Sequence, residues 1–315
     1  MTNFSESAPS KVKSQSALLF MTLLWGATFV IVKESLHDIS SMLFVATRFG
    51  IAAVILFFIL LLKKKKFVKE AVAPGIYLGI FLYLSFISQT IGLKYTTATN
   101  SGFITGSAVV IVPFLQFFIQ KKKPARSAVL GTILVFVGIV FLSSGGNSIT
   151  GFFEQFGKNF NIGDALTLGC AFFYAFHIIY IDKLSPIHDT WILLLTQLIT
   201  VGILSFLTAL LFAGIKLEVL RVNFSNYLLF GLFYTSIFTT LVTIGLQTKF
   251  QKNVSPTQAG IIYSLEPIFA AVFAFFLLGE KISMFGWVGC SLIFLGLILS
   301  MTLNPEMSKE VELNG

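Results

Sequence analysis

The residues best suited to chemistry in this sequence are two charged side chains within long apolar runs. Glu266 lies nine residues into the run 257–279, and Arg48 lies seven residues into the run 41–62. If both runs are bilayer-crossing helices, these residues lie about 13 Å and about 10 Å from the helix ends, because a helix rises about 1.5 Å per residue. A charge at the centre of a bilayer costs about 2.5–3.5 kcal/mol on insertion scales. Each side chain therefore needs water, a ligand, a partner or a change of protonation.

Each of the two charges allows a functional and a structural interpretation. The Glu266 carboxylate could contact a substrate ammonium group or carry a coupling proton, or it could make a structural hydrogen bond beside a kink at Pro267. Arg48 does not readily lose its proton and offers five donors. It could bind a substrate carboxylate or hold backbone carbonyls at helix ends. Because the run around Arg48 is otherwise strongly apolar, the sequence favours the structural role for it.

Aromatic and polar side chains in other runs provide further candidates. His177 has Tyr174 three residues before it and Tyr180 three residues after it, so the three share one broad helix face. They could form a wall that binds a ring or an amino group, or an ordinary helix–helix contact. Trp25 lies too deep for an interfacial belt and shares a face with Thr28, which suits cavity lining and packing equally. The candidate substrate-binding residues are Glu266, His177, Trp25, Tyr174, Tyr263, Asn100, Thr239, Gln89 and Arg48.

The sequence lacks the motifs of enzymes. It contains no HExxH or GxSxG motif, no paired acids at mid-span and no phosphate-binding loop. Cys170 and Cys290 form no CxxC pattern, and we interpret both as packing residues. We therefore expect no catalytic residue, no metal and no cofactor. The sequence therefore disfavours two functions, an intramembrane enzyme and a membrane scaffold that transports nothing.

Composition places the candidate residues in a membrane. Of the 315 residues 56% are hydrophobic and only 11% are charged, whereas about a quarter are charged in an ordinary soluble domain. A lipid bilayer accepts the apolar exterior that this composition requires. The net charge of +8 comes from short basic clusters between apolar runs, which is typical of membrane-protein loops. We expect no nucleic-acid partner.

Ten apolar runs are long enough to span a bilayer, so the sequence predicts an all-α polytopic membrane protein. The predicted spans are 17–34, 41–62, 74–93, 98–120, 125–143, 162–182, 190–213, 226–248, 257–279 and 283–303. Residues 1–16 and 304–315 are predicted tails, and 144–161 is predicted to be a loop that links two halves. Fifteen of the 22 Lys and Arg residues fall on the side that carries both termini. This bias predicts an even number of spans and two cytoplasmic termini.

The two halves, 17–143 and 162–303, are related by an internal repeat. A shift of 158 residues lays 94–140 over 252–298 without a gap and brings Gly131 onto Gly289 and Gly138 onto Gly296. Five spans per half make the repeat inverted, and inverted repeats in transporters place a substrate site near the midplane. The same shift lays Asn100 over Gln258, so the halves present matched polar positions to a shared central cavity. The glycine pairs, seven residues apart, predict close helix contacts.

The sequence resembles the EamA branch of the drug/metabolite transporter superfamily over residues 17–303. The matching segments are Leu24-Trp25-Gly26-Ala27, Arg48, Thr99 to Ile104, Ala259 to Pro267, Leu277 to Lys281, and Gly286, Gly289 and Gly296. One departure is that Lys121-Lys122 replaces the Gly279-Glu280 of the second half. The resemblance implies ten helices around a central cavity that is formed largely by spans 1, 3, 4, 6, 8 and 9, with the fifth and tenth spans at the periphery.

The resemblance also implies a function. Members of this family move amino acids, other metabolites or drugs, which suggests a secondary transporter that exports a small metabolite such as an amino acid by alternating access. Its location would be the cytoplasmic (inner) membrane of a bacterial-type cell, and its partners would be a small-molecule substrate and the lipid bilayer. Carriage of drugs or other metabolites is the alternative. Proton coupling, exchange and passive transport all stay open, as do the direction of transport and the oligomeric state.

Overall fold

The computed structural model describes residues 10–144, 149–278 and 283–302 of the protein. These residues form fifteen α-helices and no strand, apart from an isolated antiparallel bridge between Ile39 and Val222. The C-terminal tail 304–315, residues 1–9 of the N-terminal tail and the motif residues 279–281 lie outside the described residues. The helices are α1 (Lys11–Gly26), α2 (Thr28–Ser35), α3 (Ser41–Leu62), α4 (Val72–Tyr95), α5 (Ala98–Gly106), α6 (Ala108–Gln120), α7 (Arg126–Ser143), α8 (Ile149–Asn159), α9 (Ile162–Leu184), α10 (Thr190–Gly214), α11 (Asn226–Ser236), α12 (Thr243–Phe250), α13 (Pro256–Tyr263), α14 (Glu266–Leu278) and α15 (Met284–Thr302).

The described chain contains nine helical segments that are long and apolar enough to cross a membrane. The predicted ninth span is not among them because it consists of two shorter helices, α13 and α14, with a turn at Ser264 and Leu265 between them. With this broken helix the fold has the ten crossing segments that the sequence predicts. The first span begins six residues earlier than expected, since Ser10 caps α1 by accepting a hydrogen bond from the backbone N–H of Lys13.

The fourth and ninth spans are broken at equivalent positions. α5 ends at Gly106 and α13 ends at Tyr263, next to Ser264, which is the residue that the 158-residue shift lays over Gly106. The two breaks touch, because the Ser264 hydroxyl approaches the Gly106 carbonyl oxygen at 3.4 Å. Pro267 follows the second break by three residues, and its missing N–H and its ring prevent a continuous helix there.

Helices α7 and α15 cross at the predicted glycine faces. A Cβ atom on Gly131 would lie 2.6 Å from the carbonyl oxygen of Gly296, and a Cβ atom on Gly138 would lie 2.7 Å from that of Gly289. Backbones can approach this closely only where no side chain intervenes. Each glycine thus contacts the repeat equivalent of the other glycine in its own half, as residues do across a two-fold axis.

The predicted linking loop 144–161 contains a helix, α8, so the loop prediction is wrong for residues 149–159. In its sequence, apolar residues recur every three to four positions, a pattern typical of an amphipathic helix. On the polar side Lys158 and Glu154 form an ion pair of 2.6 Å at helical spacing. Such an amphipathic helix suits the membrane surface rather than a crossing.

The bundle has two ends that differ in charge. The basic face carries Lys63–Lys66 and the basic segments at 121–126 and 249–252, where α3, α6 and the 243–253 region end. The other end, here named the opposite face, carries the segments 36–40, 96–97 and 215–225 between helices.

Candidate functional site

A central cavity runs from the middle of the bundle toward the opposite face. The space open to the centre of a water molecule within it is about 50 Å³, which suits a few waters rather than a larger metabolite. Its position follows from its lining, since Tyr174 and Glu266 lie near mid-span whereas Val32 and Leu93 lie close to the opposite-face ends of α2 and α4. The lining residues are Trp25, Thr28, Phe29, Val32, Arg48, Ser85, Phe86, Gln89, Leu93, Thr105, Cys170, Tyr174 and Glu266.

The break in the ninth span positions Glu266. Because α14 begins at Glu266, the carboxylate lies in the first turn of a helix rather than in the middle of one. A helix N-terminus stabilises a nearby negative charge by about 0.3–1 kcal/mol, and by up to about 2 kcal/mol in partly buried sites, so this break offsets part of the cost of the buried charge. The Glu266 side chain lines the cavity and has no ion pair within the described residues. Its carboxylate is therefore available to a ligand.

Arg48 is fixed on the cavity wall by a segment of π-helix at Ile237–Val242. Its Nε donates to the Thr240 hydroxyl at 3.0 Å, and its Nη2 lies 3.3 Å from the Thr239 carbonyl oxygen and 3.2 Å from the Thr239 hydroxyl. The guanidinium also lies over the Phe86 ring at 4.9 Å. The structural role that the sequence favours for Arg48 is thus present. Its Nη1 makes no hydrogen bond within the described residues, and Arg48 lines the cavity.

Three aromatic rings close the cavity on the side of the basic face. The ring centroids of this aromatic layer, formed by Trp25, Tyr174 and Tyr263, lie 5.8 Å, 5.9 Å and 6.1 Å apart. Edge and tilted contacts at such distances are favourable. The Trp25 Nε1 donates to the Thr239 carbonyl oxygen at 3.2 Å, so the π-helical segment holds the aromatic layer as well as Arg48.

A polar plug lies between the aromatic layer and the basic face. It consists of Tyr263, Gln247 and Gln251, all of which are buried. The Gln251 Oε1 accepts from the Tyr263 hydroxyl at 2.9 Å and from the Gln247 Nε2 at 3.0 Å, and the Gln251 Nε2 donates to the Ile178 carbonyl oxygen at 2.7 Å. The plug therefore joins α9, α12 and α13, and it closes the bundle between the cavity and the basic face.

Five of the predicted site residues, Trp25, Arg48, Gln89, Tyr174 and Glu266, line the central cavity, and the other four do not. His177 is fully buried, and its Nε2 lies 2.9 Å from the Gln197 Oε1, so it makes a contact between α9 and α10. Tyr263 belongs to the aromatic layer and the plug. Thr239 holds Arg48 from behind, and Asn100 lies near the start of α5 without reaching the cavity.

Helical spacing also points to two of the lining residues outside the predicted set. Cys170 precedes Tyr174 by four residues and Ser85 precedes Gln89 by four residues, so each shares a helix face with a predicted site residue. The Ser85 hydroxyl and the Cys170 sulfur are 3.2 Å apart. Cys170 thus packs against α4, as the sequence predicts for a packing residue, and also lines the cavity. No group of His, Cys, Asp and Glu side chains in the described chain is arranged to hold a metal ion.

The fold and the cavity define a class of protein, a helical membrane transporter with two related halves. The model of the EamA-like transporter family matches residues 13–144 and 161–302. The chain belongs to this family, which confirms the resemblance in the motifs.

Similar proteins agree with this assignment. The chain is 35% identical to an uncharacterized transporter of Archaeoglobus fulgidus, over 90% of this chain and 83% of that protein. It is 25% identical to the uncharacterized transporter YyaM of Bacillus subtilis, over 89% and 91% of the two chains. It is 22% identical to the uncharacterized inner membrane transporter YedA of Escherichia coli K12, over 90% and 89%. A crystal structure with 14% sequence identity has the same fold, with a TM-score of 0.75 over 94% of this chain and 99% of that one.

Proposed function

We propose that this membrane transporter is a secondary carrier that exports small zwitterionic metabolites, such as amino acids, by alternating access. The observation that carries the proposal is the presence of two opposite charges, Glu266 and Arg48, on the wall of one central cavity. No ion pair joins them within 4.0 Å in the described structure. An ammonium group and a carboxylate on one small solute would supply both missing counter-charges, in a state of the transport cycle in which the cavity is wider than its present 50 Å³ or so.

The energetics favour a zwitterion over a neutral solute. Each membrane-embedded charge costs about 2.5–3.5 kcal/mol, and the α14 N-terminus offsets only part of this cost for Glu266. A solute that brings both counter-charges would offset the remaining cost of burying Glu266 and Arg48. Because such a solute is neutral overall, it adds no net charge to the bundle. The free Nη1 of Arg48 and the unpaired carboxylate of Glu266 are the groups that would bind it. The aromatic layer would contact its apolar part, which also leaves amphipathic drugs as an alternative cargo.

Alternating access in this proposal rests on two inverted five-helix repeats, 17–143 and 162–303, joined by the segment 144–161. The touching breaks at Gly106 and Ser264 and the reciprocal glycine contacts of α7 and α15 support a two-fold relation between the halves. The cavity extends toward the opposite face and the polar plug closes the other side. This arrangement suits the state of the transport cycle that is open to the opposite face. In the other state the plug would open toward the basic face and the opposite face would close.

The orientation and the coupling belong to the same proposal. The excess of Lys and Arg at the basic face supports a cytoplasmic location for that face and for both termini, in the cytoplasmic (inner) membrane. Export is proposed on the family resemblance. Glu266 is the group in the cavity that could exchange a substrate ammonium for a proton, and we propose protons as the coupling ion.

Flux in proteoliposomes tests the proposal. Vesicles are loaded with labelled amino acids, and efflux is compared for the wild type, Glu266→Gln and the control Glu154→Gln, with and without a pH gradient. Glu154 is a suitable control because it lies on the surface of α8, with a side chain 67% exposed. We expect selective efflux that Glu266→Gln abolishes and Glu154→Gln preserves, with a response to the pH gradient in the wild type. Wild-type efflux equal to that of empty vesicles for every amino acid would refute the amino-acid assignment.

A further inference from the structure

A second pocket lies at the opposite face, apart from the central cavity. This opposite-face pocket has a volume of about 280 Å³, measured as the space open to the centre of a water molecule. It is formed where the segment after α10 folds over the start of α3 and the end of α4. Its lining residues are Ser40, Lys94, Leu217, Glu218, Val219 and Arg221. The pocket and the central cavity have no lining residue in common.

The pocket is positively charged overall, because Lys94 and Arg221 outnumber Glu218. The Lys94 Nζ lies 2.8 Å from the Glu218 Oε1, and this leaves two of its three protons for other acceptors. The Arg221 side chain makes one hydrogen bond in the described structure, from its Nη2 to the Leu36 carbonyl oxygen at 3.2 Å, and its remaining guanidinium donors are free. An anion would find several unoccupied donors here.

The start of α3 already binds one carboxylate in this pocket. The Glu218 Oε1 accepts from the backbone N–H of Ser41 at 3.0 Å and from the Ser41 hydroxyl at 2.9 Å, at the N-terminus of a helix of 22 residues. Exposed N–H groups and the helix dipole make such a terminus attractive to carboxylates. The chain's own Glu218 thus shows which chemical group this terminus accepts.

Ser40 provides an independent observation. It is the N-cap residue of α3, yet its side chain caps nothing, although a serine in this position normally accepts a backbone N–H. Ser40 is only 5% exposed, and its hydroxyl has no hydrogen-bond partner within the described residues. A buried polar group without a partner is costly, and Ser40 is one of the residues that line the pocket.

We propose that the opposite-face pocket is a second binding site, for the carboxylate of a small solute, which Lys94, Arg221 and the Ser40 hydroxyl receive. The site is separate from the zwitterion site of the proposed function. Along α3, Ser40 and Arg48 are about 12 Å apart, and no residue lines both sites. Carboxylate binding at the opposite face therefore does not depend on the cargo or the direction of transport.

Fluorine NMR of the purified full-length protein in a neutral detergent tests this site, with trifluoroacetate as the probe. We expect saturable broadening of the probe signal by the wild type. Arg221→Gln should weaken binding about two- to fivefold, as expected for the loss of an exposed ion pair, and the double change Lys94→Gln with Arg221→Gln should weaken it about tenfold or more. Lys216→Gln is the matched control, since it removes the same charge from the same segment without lining the pocket, and it should stay within about twofold of the wild type.

Two results would overturn the proposal. Binding that survives the double change would locate the probe elsewhere, for example at Arg48. An equal loss in Lys216→Gln would reduce the effect to the general charge of this face. Since the double change also removes the Glu218 ion pair and could disturb folding, Ser40→Ala provides a charge-neutral second test. We expect weaker binding in this variant at an unchanged melting temperature, and binding equal to that of the wild type would contradict the role of Ser40.

The phosphate of an anionic lipid headgroup could use the same donors, and a further comparison separates the two sources. The titration is repeated in nanodiscs of phosphatidylcholine alone and of phosphatidylcholine mixed with phosphatidylglycerol. Undiminished binding of the probe in the mixed discs supports a soluble carboxylate as the ligand. Suppression in the mixed discs to the level of the double variant would overturn the soluble ligand in favour of the lipid headgroup.

Discussion

The hydroxyl of Tyr263 provides a direct test of the polar plug as the closed gate on the basic face. Tyr263→Phe removes the donor of the 2.9 Å hydrogen bond to the Gln251 Oε1 and keeps the ring in the aromatic layer. A typical hydrogen bond contributes a net 0.5–1.5 kcal/mol, roughly. The Gln251 oxygen keeps its second donor, Gln247, at 3.0 Å, so no acceptor is left unpaired and the cost falls within this range.

The expected effect is a shift in the population of the state that is open to the basic face. Since about 1.4 kcal/mol corresponds to a factor of ten, loss of this bond should raise the open fraction about two- to tenfold. A cysteine at position 28 reports on the cavity, because Thr28 lines it and its hydroxyl has no partner to lose. The background is Cys170→Ala with Cys290→Ala, which removes both native cysteines.

The assay is the rate at which a membrane-impermeant thiol reagent modifies Thr28→Cys from each side of oriented vesicles. Tyr263→Phe should speed modification from the basic face by the factor above and slow it slightly from the opposite face. Tyr83→Phe is the matched control, since it removes a hydrogen bond of 2.6 Å to Thr208 between α4 and α10, outside the plug. An unchanged rate from the basic face, or an equal change in Tyr83→Phe, would refute the gate.

Three further predictions concern stability and transport. Gly138→Val should lower the free energy of unfolding by about 1–3 kcal/mol, because the new side chain would overpack against α15. Gly50→Ala is the control and should be neutral or stabilising, since nothing lies within 4 Å of its new Cβ atom. Thermal melts of the two variants and the wild type measure the difference. Burial tends to raise the pKa of Glu218, but hydrogen bonds from Lys94 and the start of α3 outweigh it and hold the pKa below its usual value. The stability from this contact is therefore present above the unfolded-state pKa and lost as the pH falls through the folded-state pKa, so Glu218→Gln should flatten the acid limb of a melting curve against pH. Arg48→Lys should reduce transport about tenfold or more, because one ammonium group cannot replace the guanidinium contacts to the π-helical segment.

Each of these predictions has a contradicting result. Equal melting temperatures for Gly138→Val and the wild type would mean that α7 and α15 can separate without cost. An acid limb that persists in Glu218→Gln would assign it to another carboxylate. Wild-type flux in Arg48→Lys would show that a positive charge suffices at this position, without the fork of donors.

The sequence predicts the crossing segments and the repeat, since both depend on properties that are local along the chain. Length and apolar character define the spans because the bilayer has a fixed thickness. The glycine spacing in the two halves predicts a close-contact face on α7 and on α15, because a helix surface repeats every seven residues with little drift. Charge within an apolar run identifies Glu266 and Arg48 as functional candidates, since the cost of burial does not depend on which helices are neighbours.

The tertiary structure decides which side of each helix faces the cavity. Tyr174 and His177 are three residues apart on α9, yet Tyr174 lines the cavity whereas His177 contacts α10. Helix rotation and crossing are set by packing against neighbours, and the composition of a single helix that is apolar on most sides does not encode them. The contact between Ser264 and Gly106, which brings the breaks of the two halves together next to Glu266, likewise exists only in the folded protein.

The opposite-face pocket likewise could not be predicted from the sequence, because its residues are far apart along the chain. Lys94 and Glu218 are separated by 124 residues, and each looks like an ordinary loop charge in the sequence. Only the folding of the segment after α10 over the starts and ends of other helices brings them together with Ser40 and Arg221. Local pattern thus determines what each segment of this protein is, whereas the contacts between segments determine which polar groups share a site.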